Sequence, residues 1–265
     1  MGLFLWTENQ TEMSWLDELV EGNYSPKNLE QGSDKWEQIR AGRFTSSEIW
    51  KIMEFGKRPM TPEELKARPK SGKGSSTTQV PDPSKLSEKG MGYITQKVAE
   101  VLTGQPKQSA YAYPLVYGKE TEPEAVEHFE KITGYTCEEI GFQTWGEHAG
   151  GSPDRFIVEV KEGLEIKCPF QSENQIGYLM LTDHHDLKRM YPEYYWQCVS
   201  LLLFTSLEAW NFCTYDPRMI LDRHKMTRIR IEAAKVEEDM DLVNTAIASA
   251  VKEKLSMLAT LNASI

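Results

Sequence analysis

A chain of 265 residues, 40% of them hydrophobic, is long enough to bury one substantial α/β core, and we expect a single domain over 1–265. The formal net charge of −10 argues against nucleic-acid binding through bulk charge, because phosphate backbones repel an acidic protein. No apolar run reaches the roughly 18 residues of a membrane span, and the opening MGLFLWTENQ lacks the basic flank of a signal peptide. We therefore expect a soluble, intracellular protein.

Apolar spacing and capping residues predict most of the helices. A Thr-Ser-Ser cap at 45–47 favours a helix that runs to about Phe55, and Gly104 and Gly134 each follow a helical segment as a stop signal. The apolar run PEYYWQCVSLLL indicates a buried helix. This buried helix is predicted at 192–203. The other helices are predicted at 12–20, 34–40, 90–103 and 118–133.

The stretch between 56 and 87 contains five prolines and the run SGKGSSTTQ. This composition disfavours packed structure, so we expect a mobile basic loop at about 56–89. The loop carries eight basic and four acidic residues, and a second basic cluster at 218–230 has five basic residues and one acidic residue. Either cluster alone is typical of solvated surface. Together they indicate a basic groove in an acidic chain.

Strands are predicted at 135–168 and in EAWNFCTYD at 208–216. The tail then shows an apolar stripe at helical spacing, which predicts an amphipathic helix at about 228–262. The stripe consists of Val236, Met240, Val243, Ile247, Leu255 and Leu258. Such a stripe packs on its own core more often than on a partner, and its length leaves oligomerisation open.

The four cysteines do not indicate a zinc site. They are widely separated, each in an apolar context, with no CxxC pair and no histidines at zinc spacing. We expect small buried hydrophobic residues at Cys137, Cys168, Cys198 and Cys213.

The pattern acid-x-Lys occurs three times, at Glu64-Leu-Lys66, Glu159-Val-Lys161 and Glu165-Ile-Lys167. Only the third lies between alternating apolar residues and follows a Ser-Pro-Asp turn. Because side chains on a strand alternate between faces, the acid and the lysine share one face beside the core. The alternative is an ordinary exposed strand face with Glu and Lys on it.

A rigid strand can hold a metal site, and Mg²⁺ binds a few carboxylates together with carbonyl oxygens and waters. Asp154, Glu165 and the Ile166 carbonyl are candidate ligands. Lys167 would then orient or help deprotonate the attacking water and offset charge in the transition state. These residue types suit phosphodiester hydrolysis.

The distance between the two acids is a difficulty for this interpretation. A tight hairpin at Glu162-Gly163 would leave Asp154 about 20 Å from Glu165 at the rise of a strand. A turn or bulge nearer 160 would instead set Asp154 opposite Lys167 and Phe156 opposite Glu165. The metal site requires that irregularity.

Several segments together resemble the phage lambda exonuclease family, the YqaJ-type viral recombinases of the PD-(D/E)xK superfamily. They occur in the family's order from 30 to 219. The segments are EQGSDKWEQIRAGRFTSSE at 30–48, YGKETEPEAVEHFE at 117–130, SPD and GLEIKCPF at 152–170, YYWQCVSLLLF at 194–204 and YDPRM at 215–219. The resemblance implies a restriction-endonuclease-like α/β core, in which helices flank a central mixed sheet.

The resemblance also implies roles for single residues. Asp154 and Glu165 match the metal ligands, and Lys167 matches the catalytic lysine. Glu122 matches an additional active-site acid that contributes to the metal shell, although Glu120 and Glu124 are close enough to be confused with it. Gln197 matches a glutamine that lines the site in this family. Arg40 and Ser47 match residues that receive the terminal 5′-phosphate of DNA.

The implied activity is Mg²⁺- or Mn²⁺-dependent hydrolysis of double-stranded DNA ends with two metal ions, from the 5′ end, leaving 3′ single strands for phage recombination. The implied assembly is a homotrimeric ring, the implied partner a single-strand annealing protein, and the implied location the host cytoplasm. Rival functions are an endonuclease, a single-strand nuclease, or a catalytically inactive DNA-end-binding or assembly protein on the same fold. The sequence departs from the family in a longer 56–89 loop, one extra residue between the acids, and Arg155 where Gly is common.

Overall fold

The computed structural model describes residues 31–67, 78–107 and 113–263, so the helix predicted at 12–20 lies outside the described residues. In the described part, the α-helices are α1 (Asp34–Arg40), α2 (Trp50–Met53), α3 (Pro62–Ala67), α4 (Glu88–Thr103), α5 (Tyr113–Thr133), α6 (Ser172–Leu179), α7 (His184–Met190), α8 (Pro192–Thr205), α9 (Asp222–Lys225) and α10 (Glu237–Ala263). Short 3-10 helices lie at Ser46–Glu48 and Ala233–Lys235. The strands are β1 (Phe44–Thr45), β2 (Phe55–Pro59), β3 (Gln79–Leu86), β4 (Cys137–Glu138), β5 (Gln143–Trp145), β6 (Ala149–Gly151), β7 (Arg155–Ile157), β8 (Glu162–Lys167), β9 (Ala209–Tyr215) and β10 (Met226–Glu232).

Most of the predicted helices are present. The segments predicted at 34–40, 90–103, 118–133 and 192–203 correspond to α1, α4, α5 and α8. The helix predicted to run to Phe55 is wrong in extent, because Glu54 adopts an extended conformation after α2 and Phe55 begins β2. None of the helices in the described residues combines the length and apolarity needed to cross a lipid bilayer.

The central element is a mixed five-stranded sheet in the order β10-β9-β8-β7-β4. Strands β8 and β9 are parallel, and the other neighbouring pairs are antiparallel. A parallel pair needs a long crossover connection, and α6, α7 and α8 provide it. A smaller sheet orders β1-β6-β5, and β2 and β3 form a separate ribbon. The expected mixed sheet with flanking helices is confirmed.

The two faces of the five-stranded sheet carry separate apolar clusters. One face packs Trp210 and Phe212 of β9 against α8, which is apolar nearly all round. The other face packs Leu164 and Ile166 of β8 against α5. Of the four cysteines, Cys198 and Cys213 are buried as expected, whereas Cys137 and Cys168 are only half-buried.

Gly163 in β8 lies directly beneath the indole ring of Trp210, its partner in the parallel pairing. A Cβ atom built on Gly163 would approach the ring to 2.3 Å, which is closer than any real contact. Trp210 is fully buried, so the ring has no free space to move into. The strand can therefore pass Trp210 only with glycine at this position.

We expect Gly163→Ala to lower the free energy of unfolding by about 1–3 kcal/mol, because the added methyl group overpacks the core. Gly92→Ala is the matched control, since Gly92 lies in α4 and a methyl group added there would meet nothing within 4 Å. That substitution should raise stability by about 0.5–1 kcal/mol through helix propensity. Urea unfolding midpoints measure both values. Equal effects of the two substitutions would contradict the packing argument.

The prediction that 56–89 lacks packed structure is wrong where the structure describes it. Strands β2 and β3 pair antiparallel across this segment, and α3 lies between them. Arg58 donates two hydrogen bonds of 2.8 Å to the Glu64 carboxylate. The high proline content suggested an unpaired loop. A two-stranded ribbon tolerates proline, however, because one edge of each strand is unpaired and a missing N–H costs little there. Residues 68–77 lie outside the described residues.

The tail also differs from its prediction. The helix expected from 228 begins only at Glu237, and Met226–Glu232 is the edge strand β10, paired antiparallel with β9. The sequence MTRIRIE alternates buried Thr and Ile with exposed Arg, which is the period of a strand. Val243 and Ile247 are buried in α10, whereas Leu255 is 47% exposed, so the predicted stripe is buried only in part.

Candidate active site

The turn at 158–161 brings the two acids together. Arg155 pairs with Leu164 and Ile157 with Glu162, and continuing this register by one residue sets Asp154 beside Glu165. The alternative of a tight hairpin at Glu162-Gly163 is excluded, because both residues lie in β8. The expected pairing of Phe156 with Glu165 is also wrong, since Phe156 pairs with Gly163. The turn lies near 160 as the metal site required, but the register differs from the predicted one by two residues.

Asp154 is fixed against the neighbouring strand by a backbone hydrogen bond. Its Oδ2 accepts from the Ile166 N–H at 2.7 Å. Because Ile166 lies between Glu165 and Lys167, this bond holds the Asp154 carboxylate next to both of their side chains. The three residues predicted to carry the chemistry are thereby brought together.

Glu165 is 1% exposed, and its two carboxylate oxygens have different surroundings. Oε1 accepts hydrogen bonds from Lys167 and, at 2.6 Å, from Gln197 Nε2. Oε2 is buried without a hydrogen-bond partner in the described residues. Burial, followed by the charge of Asp154, raises the pKa of Glu165 to about 8, although Lys167 opposes the shift. Gln197, which could have been an ordinary structural residue of a buried helix, thus contacts the site.

Lys167 lies between the carboxylates and an aromatic ring. Its ammonium group is 5.7 Å from the ring centre of Tyr194. Burial alone would lower the pKa of Lys167, but the charges of Glu165 and Asp154 outweigh burial and raise it. The side chain therefore keeps its proton at neutral pH. In this state it can orient an acceptor and offset negative charge, but it cannot accept a proton.

Glu122 of α5 faces the same site. Its Oε1 accepts from Arg155 Nη1 at 3.0 Å, and burial, followed by the charge of Asp154, raises its pKa. The two neighbouring glutamates point elsewhere, since Glu120 is exposed and Glu124 accepts a 2.9 Å hydrogen bond from the Tyr215 hydroxyl. The geometry therefore singles out Glu122, as the sequence interpretation did.

A cavity of about 630 Å³ opens where Glu122, Asp154 and Lys167 meet. Lys119 and Tyr194 are among the lining residues that the sequence interpretation did not single out. Each lies three residues before a predicted site residue in the same helix, Glu122 or Gln197. Residues three apart share a helix face, so this spacing was a usable signal.

The residues present fit a divalent cation in part. Within the described ranges, no group of three or more His, Cys, Asp or Glu side chains is arranged to hold a metal ion by itself. Two carboxylates, from Asp154 and Glu165, together with the Ile166 carbonyl and waters, would still satisfy Mg²⁺, which keeps several waters when protein-bound. The unpartnered, buried Oε2 of Glu165 is the atom whose surroundings best suit a cation.

Arg40 and Ser47 do not line this cavity. The Arg40 guanidinium stacks 3.8 Å from the ring centre of Trp36 in α1. Trp36 Nε1 in turn donates a 2.8 Å hydrogen bond to Ser152 Oγ, two residues before Asp154. Helix α1 thus places Arg40 near the turn that carries Asp154. Ser47 is exposed in the 3-10 helix that follows β1.

The sequence matches the family model of the YqaJ-like viral recombinase domain over residues 35–208. An alkaline exonuclease from Laribacter hongkongensis, LHK-Exo, is similar in structure at 21% identity with a TM-score of 0.63, covering 88% of this chain and 97% of that chain. Its complex with dAMP gives a TM-score of 0.64 at the same identity and coverage. A phage-related exonuclease from Haemophilus somnus 129PT has 13% identity and a TM-score of 0.60, covering 83% of this chain and 96% of that chain. No curated protein matches the sequence.

At these identities the structural likeness shows the fold, which is the PD-(D/E)xK type found in alkaline exonucleases. The matched range contains Asp154, Glu165, Lys167 and Gln197 and covers more than half of the chain. The resemblance inferred from the sequence motifs is thereby confirmed. The chain belongs to the YqaJ-like viral recombinase domain family.

Proposed function

We propose that the protein is a metal-dependent exonuclease that degrades double-stranded DNA from its 5′ ends and leaves 3′ single strands for phage-type recombination. The observation that carries the proposal is that Asp154 and Lys167 line one cavity and that Lys167 contacts the buried Glu165, which Gln197 also contacts. Family membership supports it, as do the exonucleases with the same fold. One of these binds dAMP, and a 5′-mononucleotide is the product we propose here.

The chain's own residues would position the scissile phosphate and neutralise its charge. The Lys167 ammonium can donate to a phosphate oxygen or to the attacking water, and it offsets the negative charge that grows in the transition state. Gln197 and the Ile166 N–H hold the Glu165 and Asp154 carboxylates in fixed orientations. A divalent cation bound by those carboxylates and the Ile166 carbonyl, with Glu122 nearby, would supply Lewis-acid polarisation.

Recognition of the DNA end is proposed for Arg40 and Ser47. A guanidinium is a bidentate phosphate donor, and Arg40 lies near the Ser152 turn through its contact with Trp36. The assembly we propose is a homotrimeric ring around the duplex, with a single-strand annealing protein as partner. A ring would retain DNA by enclosing it, which suits a chain whose net charge is −10.

Linear duplex DNA labelled separately at its 5′ and 3′ ends tests the proposal, with Mg²⁺, Mn²⁺ or EDTA. We expect early release of the 5′ label in the presence of a divalent ion and no release in EDTA. Early release of the 3′ label would contradict the polarity. A mobility shift without shortening would favour the inactive DNA-end-binding protein, and cleavage of circular DNA would favour an endonuclease.

Replacing Arg40 by alanine should weaken the preference for phosphorylated over hydroxyl 5′ ends by about tenfold, because one charge-assisted phosphate contact is lost. Slow hydrolysis should persist. Lys35→Ala is the control, since Lys35 is an exposed cation of the same helix. The measurement is the ratio of kcat/KM on the two kinds of end. An equal loss of activity on both ends would remove this role from Arg40.

A further inference from the structure

We propose that Lys97, Glu100 and Lys254 are positioning residues that hold the turn after Arg40, and that the two lysines provide a positive field for a terminal 5′-phosphate. This inference rests on the proposed phosphate contact of Arg40. Two of the three residues come from α4, and Lys254 comes from α10. None of them contacts the cavity that contains Asp154 and Lys167.

Gly42 lies two residues after Arg40, and both its N–H and its carbonyl are hydrogen-bonded to charged side chains. Its N–H donates to Glu100 Oε2 at 2.9 Å, and its carbonyl accepts from Lys254 Nζ at 2.9 Å. Gly42 has a φ of +73°, and a Cβ atom there would approach Val101 Cγ2 to 2.6 Å. The turn therefore depends on glycine, on close packing against α4, and on two buried charged side chains.

The segment between Arg40 and Ser47 is held at a second point by the same helix. The Tyr93 hydroxyl accepts from the Thr45 N–H at 2.9 Å, two residues before Ser47. Lys97 Nζ donates to both oxygens of Glu100, at 3.2 and 3.0 Å. Helix α4 thus sets the backbone of the segment that joins the two proposed phosphate ligands.

Positive charge exceeds negative charge in the interior of this network. Lys97 and Lys254 are 4% and 2% exposed, whereas the buried carboxylate of the network is that of Glu100, which is 4% exposed and pairs with Lys97. Arg40 and Arg43, both half-buried, lie at its edge. Three other acids near Arg40 and Arg43 offset the excess positive charge less than Glu100 does. Glu48 is paired with Lys51, Glu37 is only half-buried, and Glu147 is exposed to solvent.

The ionisation of the network agrees with this charge count. Burial, followed by the charges of Arg43 and Lys97, lowers the pKa of Lys254 to about 8. Burial also lowers the pKa of Lys97, of Arg40 and of His148, whose Nδ1 lies 3.2 Å from Lys254 Nζ. Clustered cations in a low dielectric raise the free energy of the unbound protein, and a nearby phosphate dianion relieves that cost.

The test compares Lys254→Met with Lys252→Met, which removes an exposed lysine from the same helix. We expect Lys254→Met to lower the ratio of kcat/KM on 5′-phosphate ends to that on 5′-hydroxyl ends by about threefold to tenfold, and the control to leave it unchanged. In the wild type this ratio should fall as the pH rises through about 8, because kcat/KM reports the free enzyme and Lys254 loses its proton there. The step should be absent in Lys254→Met.

Glu100→Gln should change the ratio of kcat/KM on 5′-phosphate ends to that on 5′-hydroxyl ends in the opposite direction. It removes one negative charge while its carbonyl can still accept from the Gly42 N–H, so the ratio should rise by a similar factor. If the network of Lys97, Glu100 and Lys254 only stabilised the fold, Glu100→Gln would lower kcat/KM equally on both kinds of end and leave the ratio unchanged. This variant also decides the inference if Lys254→Met fails to fold.

Each combination of results distinguishes the inference from the function on which it rests. A lower ratio in both Arg40→Ala and Lys254→Met supports the inference. A lower ratio in Arg40→Ala alone overturns the inference and leaves the proposed function standing. No change in Arg40→Ala overturns both the phosphate role of Arg40 and an inference that acts through it, whatever Lys254→Met does. An unchanged or lower ratio in Glu100→Gln overturns the electrostatic part.

Discussion

Lys167→Met should lower the rate of DNA hydrolysis by about 100-fold or more while DNA binding persists, because a positioned cation acts mainly on the transition state. Methionine keeps much of the side-chain volume and removes the ammonium group. The loss should appear in kcat, measured by release of the 5′ label from linear duplex. DNA binding, measured in EDTA, should change little, since Lys167 is a single charge within a larger contact.

Lys161→Met is the matched control for this prediction. Lys161 belongs to the same acid-x-Lys pattern, in Glu159-Val-Lys161, but lies in the turn at 158–161 rather than in β8. The control should retain hydrolysis close to the wild-type rate. Equal activity of the Lys167 variant and the wild type would show that β8 is scaffold, and the inactive end-binding function would then be favoured.

Glu165→Gln should abolish turnover and also remove the stabilisation of the protein by divalent cations. In the wild type, a cation bound to the folded state raises Tm by mass action. Glutamine retains an acceptor for Lys167 and Gln197 but removes the charge at the buried Oε2 position. Without metal, the variant should be about as stable as the wild type at neutral pH, because burial and the charge of Asp154 raise the pKa of Glu165 to about 8 and most of its side chain is already uncharged there.

Glu162→Gln is the control for Glu165→Gln, since Glu162 is also a buried glutamate of β8. Its carboxylate is paired with Arg230 at 2.7 Å and with Asn211 at 2.8 Å. Removing this charge should lower stability, because Arg230 loses its partner, and should leave the metal-dependent rise in Tm intact. Melting curves with and without Mn²⁺ measure both effects. A full Tm response in the Glu165 variant would exclude Glu165 as a ligand.

The candidate site could be predicted from the sequence where local patterns determine it. The two-residue period of LEIK places Glu165 and Lys167 on one face, and the structure agrees. The strand register could not be predicted in the same way. Lys161 adopts a φ of 53°, a conformation that favours glycine, so the Glu-Gly pair that follows was a better turn candidate on composition alone.

The errors elsewhere have similar physical causes. In the ribbon of β2 and β3, proline content outweighed pairing that local sequence does not reveal. At the tail, the strand β10 and the helix α10 follow each other closely, and the predicted helix was extended over both, although its apolar stripe begins only at Val236. The contact of Lys254 with Gly42 joins residues 212 positions apart, so no local pattern contains it.

The close contact of Gly163 with Trp210 also constrains the alignment of β8 along β9. A slip of β8 by one residue along β9 would exchange the two faces of the strand and set Leu164 and Ile166 on the face where Glu165 and Lys167 now lie. In that slipped alignment the indole ring would meet the side chain of Glu162 or Leu164, for which there is no room. The packing around Trp210 therefore disfavours the slipped alignment, and the alignment that buries the ring is also the one that sets Glu165 and Lys167 beside Asp154.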